Sequence, residues 1–312
     1  VAPAIAAGCS MVLKPAPETP LSALLLAEVI QQAGWPDGGF NAVLLADGDS
    51  GLLVTDERIK LISFTGSAAV GWAIKNNAGK KKVILELGGN SGVIVHSDTD
   101  LAYAVDRCVT GGFAYAGQSS ISVHRILVEH SIYGKFNELF LGAASKLKVG
   151  DPLDESSDLG PLIRESDAIR ANDWVQEAVR GGARLLCGGN RKGSLFEPTV
   201  LTGTKPNMKV NCQEILAPVV TVEPYNDFDS ALKQINNSAY GLQAGIFTRD
   251  AKLIFQAYDE LEVGGLIAGD VPTFRIDHMP YGGIKDSGLG REGLRYSIEE
   301  MTEPKLLVMN LR

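Results

Sequence analysis

Short apolar segments alternate with helix-length segments along this chain, and that alternation leaves few folds open. "MVLK" (Met11 to Lys14) reads as a buried strand. "TPLSALLLAEVIQQAG" reads as a helix capped by Thr19, with Pro20 in its first turn and Gly34 as its stop. "FNAVLL" (Phe40 to Leu45) is the next strand, "KLISF" (Lys60 to Phe64) runs into a helix beginning near Gly66, and "KKVILEL" (Lys81 to Leu87) follows. Short strands separated by helices of about ten residues or more predict an α/β fold built on doubly wound parallel sheets.

A second series begins after "LELGGNSG". It runs through "GVIVH", a helix capped near Asp98, "RILVEH", and a helix from Ile132 to Lys148. A loop rich in Asp, Pro, Ser and Gly at Gly150 to Gly160 leads to another helix and "ARLLCGG". The strands "VVTVEPY", "AGIFT" and "GGLIAG" continue the pattern, with a helix between each pair. There is no internal repeat. The restart places a domain boundary near Gly88 to Gly92.

Composition bounds the function. At 312 residues and 45% hydrophobic content, the chain can build a sizeable core. A formal charge of -8 excludes nucleic acid or an anionic membrane surface as the main partner. No apolar run reaches the roughly 18 residues of a membrane span. The opening "VAPAIAAGCSMVL" is apolar, but no basic segment precedes it, so it does not read as a signal peptide. Cys9, Cys108, Cys187 and Cys212 are scattered without a CxxC, and His96, His124, His130 and His278 are equally dispersed. No metal site is expected, and a reducing, cytoplasmic setting is.

Three stretches could carry chemistry. In "ISFTGSAAVG", a strand ends at Phe64, Thr65-Gly66-Ser67 turn, and a helix starts with its free N–H groups outward, which suits a phosphate. Many such turns hold no ligand. In "LELGG", Glu86 lies between leucines, where burial would raise its pKa toward that of a working base. A carboxylate that reaches solvent or pairs with a lysine fits the same letters. In "FAYAGQSSISVHR", a serine pair follows Gly117-Gln118. The pair is either a nucleophile loop or loop filler, since no GxSxG elbow is present and His124 is too near Ser120 to serve as its base.

Taken in order, "VLKPAPETPL", "FTGSAAVG", "LELGGNS", "AGQSS", "QEILAPV", "NNSAYGLQAGIFT" and "MPYGGIKDSGLGREG" resemble the NAD(P)-dependent aldehyde dehydrogenase superfamily from Val1 to Arg312. The variants "DHMPYGGIKDSGLGREG" and "EEMTEPKLLV" are most similar to a branch with lactaldehyde, non-phosphorylating glyceraldehyde-3-phosphate and phosphonoacetaldehyde dehydrogenases. The resemblance implies oxidation of a small aldehyde to an acid with NAD or NADP. It places Lys14 at the adenosine ribose, Gly66 and Ser67 at the pyrophosphate, Glu214 at the nicotinamide ribose, and Glu86 as general base. Pro17, Thr65, Leu87 and Leu216 complete the implied cofactor set, Leu216 standing where the family commonly has phenylalanine. The implied domains are 1–88, the C-terminal part of a dinucleotide-binding domain; 89–290, a catalytic domain; and 291–312, a return helix and oligomerisation strand. A homo-oligomer, dimer or tetramer, follows from that strand.

The sequence departs from the family pattern at three places. Ser120 stands at the position of the nucleophilic cysteine. A thiol titrates near ~8.5 and is readily ionised by an adjacent base, whereas a serine hydroxyl is far less acidic, so weak or absent dehydrogenase turnover is expected. The family's N-terminal portion, with an asparagine that donates to the oxyanion, does not precede Val1, so an incomplete dinucleotide-binding domain is expected. Pro17 replaces a glutamate that often holds the ribose hydroxyls, which leaves NAD against NADP open. Two other readings accompany the first: a structural protein that keeps the fold without the chemistry, and an esterase using Ser120 with Glu86.

Overall fold

The computed structural model describes residues 1–311; Arg312, the last residue of the 291–312 segment, and the side chain of Asp47 lie outside the described residues. The first part comprises α1 (Ala2–Ala6), β1 (Met11–Leu13), α2 (Leu21–Gln32), β2 (Phe40–Ala42), α3 (Gly51–Thr55), β3 (Leu61–Thr65), α4 (Ala68–Asn77) and β4 (Lys82–Glu86). β1 and β2 form a two-stranded parallel sheet, and β3 pairs in parallel with β4, setting Thr65 opposite Glu86. The strand expected to be buried at Met11 to Lys14 is only half covered, because its one partner is β2: Val12 is 40% exposed.

The second part opens with β5 (Ser91–Val95), α5 (Leu101–Phe113), β6 (Val123–Glu129), α6 (His130–Ala144) and α7 (Glu165–Arg180). It continues through β7 (Arg184–Cys187), β8 (Arg191–Lys192), β9 (Leu195–Phe196), β10 (Thr199–Thr202), α8 (Lys209–Cys212) and β11 (Val219–Tyr225). Then come α9 (Phe228–Asn236), β12 (Tyr240–Gly241), β13 (Gln243–Phe247), α10 (Ala251–Glu260) and β14 (Gly265–Ala268). β15 (Ile284–Lys285), β16 (Gly288–Leu289) and α11 (Leu294–Glu300) end the series.

The main sheet runs β14-β13-β5-β6-β11-β10-β7. All its pairings are parallel except the edge, where β7 lies antiparallel to β10. Alternation along β5 shows the double winding. Val93 and Val95 enter the core shared with α5, α6 and α7, while Ile94 enters the opposite core with α9 and α10. β16 returns across the molecule to pair antiparallel with β4, placing Gly288 opposite Glu86.

Element ends differ from the sequence reading for local reasons. Thr19 does not cap α2: its N–H donates to Ala16 O in a preceding turn, and Pro20 holds the N-cap position without a side-chain bond. Gly34 does end the helix, at φ +77°. Asp100, not Asp98, caps α5 by accepting from the Tyr103 N–H. Asp98 instead accepts from Thr248 Oγ1 and the Arg249 N–H, which tie it to the end of β13. β6 begins at Val123 rather than Arg125, and the helix read from Ile132 to Lys148 runs from His130 to Ala144.

Fully buried Phe113, Phe136 and Phe140 stack between α5 and α6, with Phe140 6.0 Å from Phe113 and 5.4 Å from Phe136. Phe140→Ala is expected to lower stability by about 3–5 kcal/mol, read from the shift of a urea midpoint.

Candidate active site

The site forms where β4 ends and β5 and β6 begin. Four residues, Leu87 to Asn90, separate β4 from β5. Gly88 and Gly89 within that link touch two other segments. A Cβ on Gly89 would collide with the carbonyl oxygen of Ser120, and one on Gly88 would collide with the carboxyl group of Glu214. The Gly89 N–H donates to Glu214 Oε1 at 2.9 Å. The lack of side chains at these two positions therefore lets Glu86, Ser120 and Glu214 share one neighbourhood.

Glu86 closes β4. Its backbone carbonyl accepts the Gly66 N–H, while its side chain is 6% exposed with neither carboxylate oxygen hydrogen-bonded. Burial pushes its pKa up to about 8, helped by the charge of Glu292 and opposed by Arg275 and Arg291. Gly282 leaves room for it, since a Cβ there would stand 2.9 Å from Glu86 Oε1. Burial also raises the Glu214 pKa, against the pull of the Gly89 N–H and Arg170.

Ser120 follows a strained bend. Tyr115, Ala116 and Gly117 all take left-handed backbone conformations, at φ 54°, 53° and 69°. Gly117 is packed against the Ala217 carbonyl, so no side chain fits there. Gln118 ties the bend down: its Oε1 accepts from the Ile163 N–H, and its Nε2 donates to the carbonyls of Tyr115 and Pro161. The neighbouring serines hold the loop. Ser119 Oγ accepts from the Ile121 N–H, and buried Ser122 Oγ donates to Gly111 O. Half-buried Ser120 lies beside Tyr281, whose phenol pKa burial raises against the opposing pull of the Ser120 hydroxyl. Arg275 lies 4.0 Å over the Tyr281 ring and pairs with Glu292 at 2.7 Å.

Two other groups are out of play as nucleophile or base. Cys108 is fully buried in α5 with its thiol pKa pushed far up by burial. His124 is buried with both ring nitrogens unpartnered, and burial lowers its pKa to about 4, so it is neutral.

The other residues singled out from sequence lie as follows. Thr65, Gly66 and Ser67 are exposed between β3 and α4. The Gly66 N–H is spent on Glu86 O, and Ser67 Oγ accepts from the Val70 N–H at 3.5 Å. The first-turn amides of Ala68 and Ala69 have no acceptor within the helix, so they are the donors an anion would meet. Leu87 is buried against Gly71 of α4. Leu216 has φ 46°, next to the Ala217 carbonyl that packs on Gly117. Lys14 is half-buried and Pro17 exposed in the loop after β1. These residues fit a dinucleotide: an exposed helix start after a parallel strand, and a carboxylate, Glu214, anchored by one oxygen beside the loop that carries Ser120. Sequence reasoning missed Tyr281, Arg275 and Glu292, although "DHMPYGGIKDSGLGREG" carries the first and the last and stands above only as a family signature.

A family model described as "Aldehyde dehydrogenase family" matches residues 1–307. The chain belongs to the aldehyde dehydrogenase family. It is 47% identical over 311 residues to 3-sulfolactaldehyde dehydrogenase of Priestia aryabhattai, covering 99% of this chain and 65% of that one. Aldehyde dehydrogenase 21 of Physcomitrella patens, solved in complex with the reaction product succinate, superposes with a TM-score of 0.97 at 48% identity, covering 99% of this chain and 64% of that one. Glyceraldehyde-3-phosphate dehydrogenase GapN of Methanocaldococcus jannaschii, complexed with NADP, superposes with a TM-score of 0.93 at 41% identity, covering 96% and 67%. The chain thus spans about two thirds of the length of these relatives. Among the described residues, no helix is long and apolar enough to cross a membrane.

The raised Glu86 pKa makes stability fall with pH. Between about 4.5 and 8 the folded chain keeps a proton that the unfolded chain has released, so stabilisation is complete below the lower value and lost toward the upper. Urea unfolding from pH 5 to 8.5 should show Glu86→Gln losing less stability than the parent chain across that range.

Proposed function

We propose that the chain carries the catalytic site of an NAD(P)-dependent aldehyde dehydrogenase in which Ser120 occupies the nucleophile's position. The observation that carries this reading is the convergence of Glu86, Ser120 and Glu214 on Gly88-Gly89. Domain limits at 1–88, 89–290 and 291–312 accord with a site at the seam between the first two. The bound dinucleotide would supply a hydride acceptor. Lys14, Pro17, the Thr65 to Ser67 turn, Leu87, Glu214 and Leu216 would hold it, with the diphosphate at the start of α4 and a ribose diol at Glu214. Glu86 would take the proton from the nucleophile or from the water that releases the acid.

The substrate class we favour is a small aldehyde with an anionic group. Arg275 lies over Tyr281, and the charges of Arg275 and Arg291 both reach Glu86, so two guanidinium groups beside the site favour an anion. The names of the relatives, with a sulfonate, a phosphate or a dicarboxylate product, accord with this. With Ser120 in place, oxidation is impaired, because a base titrating near 8 matches a thiol and not a hydroxyl. The Tyr281 phenol, which feels both the Ser120 hydroxyl and the charge of Glu86, gives the esterase reading its one specific support. The structural-protein reading has none. A homo-oligomer is supported by exposed Leu306, Leu307, Val308, Met309 and Leu311, and a cytoplasmic setting by four unpaired cysteines.

Ser120→Cys tests this reading. With anionic aldehydes and NAD or NADP, the variant should form NAD(P)H at a rate well above the parent chain, and adding Glu86→Gln should reduce that rate by roughly 10²–10⁴-fold. No NAD(P)H from Ser120→Cys with any aldehyde would sink the proposal.

A further inference from the structure

The loop after β1 makes a contact that the site described so far does not use. Glu18, five residues past the end of β1, forms an ion pair with Arg164, the residue just before α7. Arg164 is no stray surface group. Its neighbour Ile163 donates its N–H to Gln118 Oε1, and Gln118 sits two residues before Ser120. Six residues further along, Arg170 donates to the Ile215 carbonyl next to Glu214. The start of α7 therefore runs from the loop after β1 to the Glu214 segment, about 9 Å at 1.5 Å per residue, with a guanidinium at each end.

We propose that Arg164 is the residue that reads the 2′-phosphate of NADP, with Glu18 as the carboxylate it exchanges for that phosphate at the adenosine end of the groove. The inference rests on the cofactor reading given above. A dinucleotide site selects NAD by offering a carboxylate to the ribose hydroxyls and selects NADP by offering an arginine to the 2′-phosphate. Here the carboxylate beside Pro17 is already engaged by Arg164, so the ribose meets an exposed proline and a guanidinium rather than a free acid. Arg164 uses one terminal nitrogen on Glu18 and keeps other N–H donors in a fork suited to phosphate. Its side chain is 57% exposed, and an ion pair that open is weak enough to be exchanged for a phosphate dianion.

The test is direct binding of NADPH and NADH to the full chain, followed by nicotinamide fluorescence, for the parent, Arg164→Leu and Glu18→Gln. The parent should bind NADPH about tenfold or more tighter than NADH. Arg164→Leu should lose about that factor for NADPH and leave NADH unchanged, while Glu18→Gln should not weaken NADPH. Arg164→Leu binding NADPH as the parent does, or losing both nucleotides equally, would overturn the role of Arg164 while leaving the cofactor reading intact. Failure of the parent to bind either nucleotide would overturn both.

Discussion

The contact on which the rest of the site depends is the approach of Gly88 and Gly89 to the Glu214 carboxylate and the Ser120 carbonyl. β4 delivers Glu86 at its carboxyl end, and β5 leaves four residues later in a different sheet. The loop that carries Ser120 enters β6, the neighbour of β5, so the Gly-Gly link is also the place where that loop must land. Any side chain at either glycine would push Glu214 or Ser120 away. The site lies at the carboxyl edge of β3 and β4 but at the amino edge of the main sheet, which puts it on the seam between the two sheets.

Electrostatics then separates the two glutamates. Glu86 has no hydrogen-bond donor and two competing influences, a glutamate that raises its pKa and two arginines that lower it, so burial decides. Burial raises the pKa of Glu214 as well, but a backbone N–H on one oxygen and the charge of Arg170 pull it back toward its charged form. One carboxyl is poised to exchange a proton near neutral pH, and the other is better suited to accept hydrogen bonds from a ligand. Set against a serine, the first has the wrong partner: its proton affinity is close to that of a thiolate. On the proposed reading, the surroundings of Ser120 suit a thiol better than the hydroxyl they hold.

Much of this was legible in the sequence because periodicity and turn chemistry are local. Alternation within β5 and the glycine stop of α2 needed only a few residues, as did the glycines of "LELGG". The misreadings came where a distant partner outbid a local preference. Asp98 looks like a helix cap, yet Thr248 and Arg249 claim it and leave the cap to Asp100. Thr19 yields to a turn closed onto Ala16. The antiparallel edge at β7 and the return of β16 onto β4 depend on pairings over long separations that no window contains. Tyr281, Arg275 and Arg164 were overlooked for the same reason, since each gains its meaning from a residue far away in the chain.

The central claim is that position 120 is a nucleophile's seat beside a buried base. Its most direct test is the rate at which iodoacetamide alkylates Ser120→Cys, followed by mass spectrometry against the four native cysteines as internal references. The account predicts that Cys at 120 reacts first, with a rate that rises through neutral pH and drops when Glu86 is replaced by glutamine. Labelling at 120 no faster than at half-buried Cys9 or Cys212, and indifferent to Glu86, would contradict it.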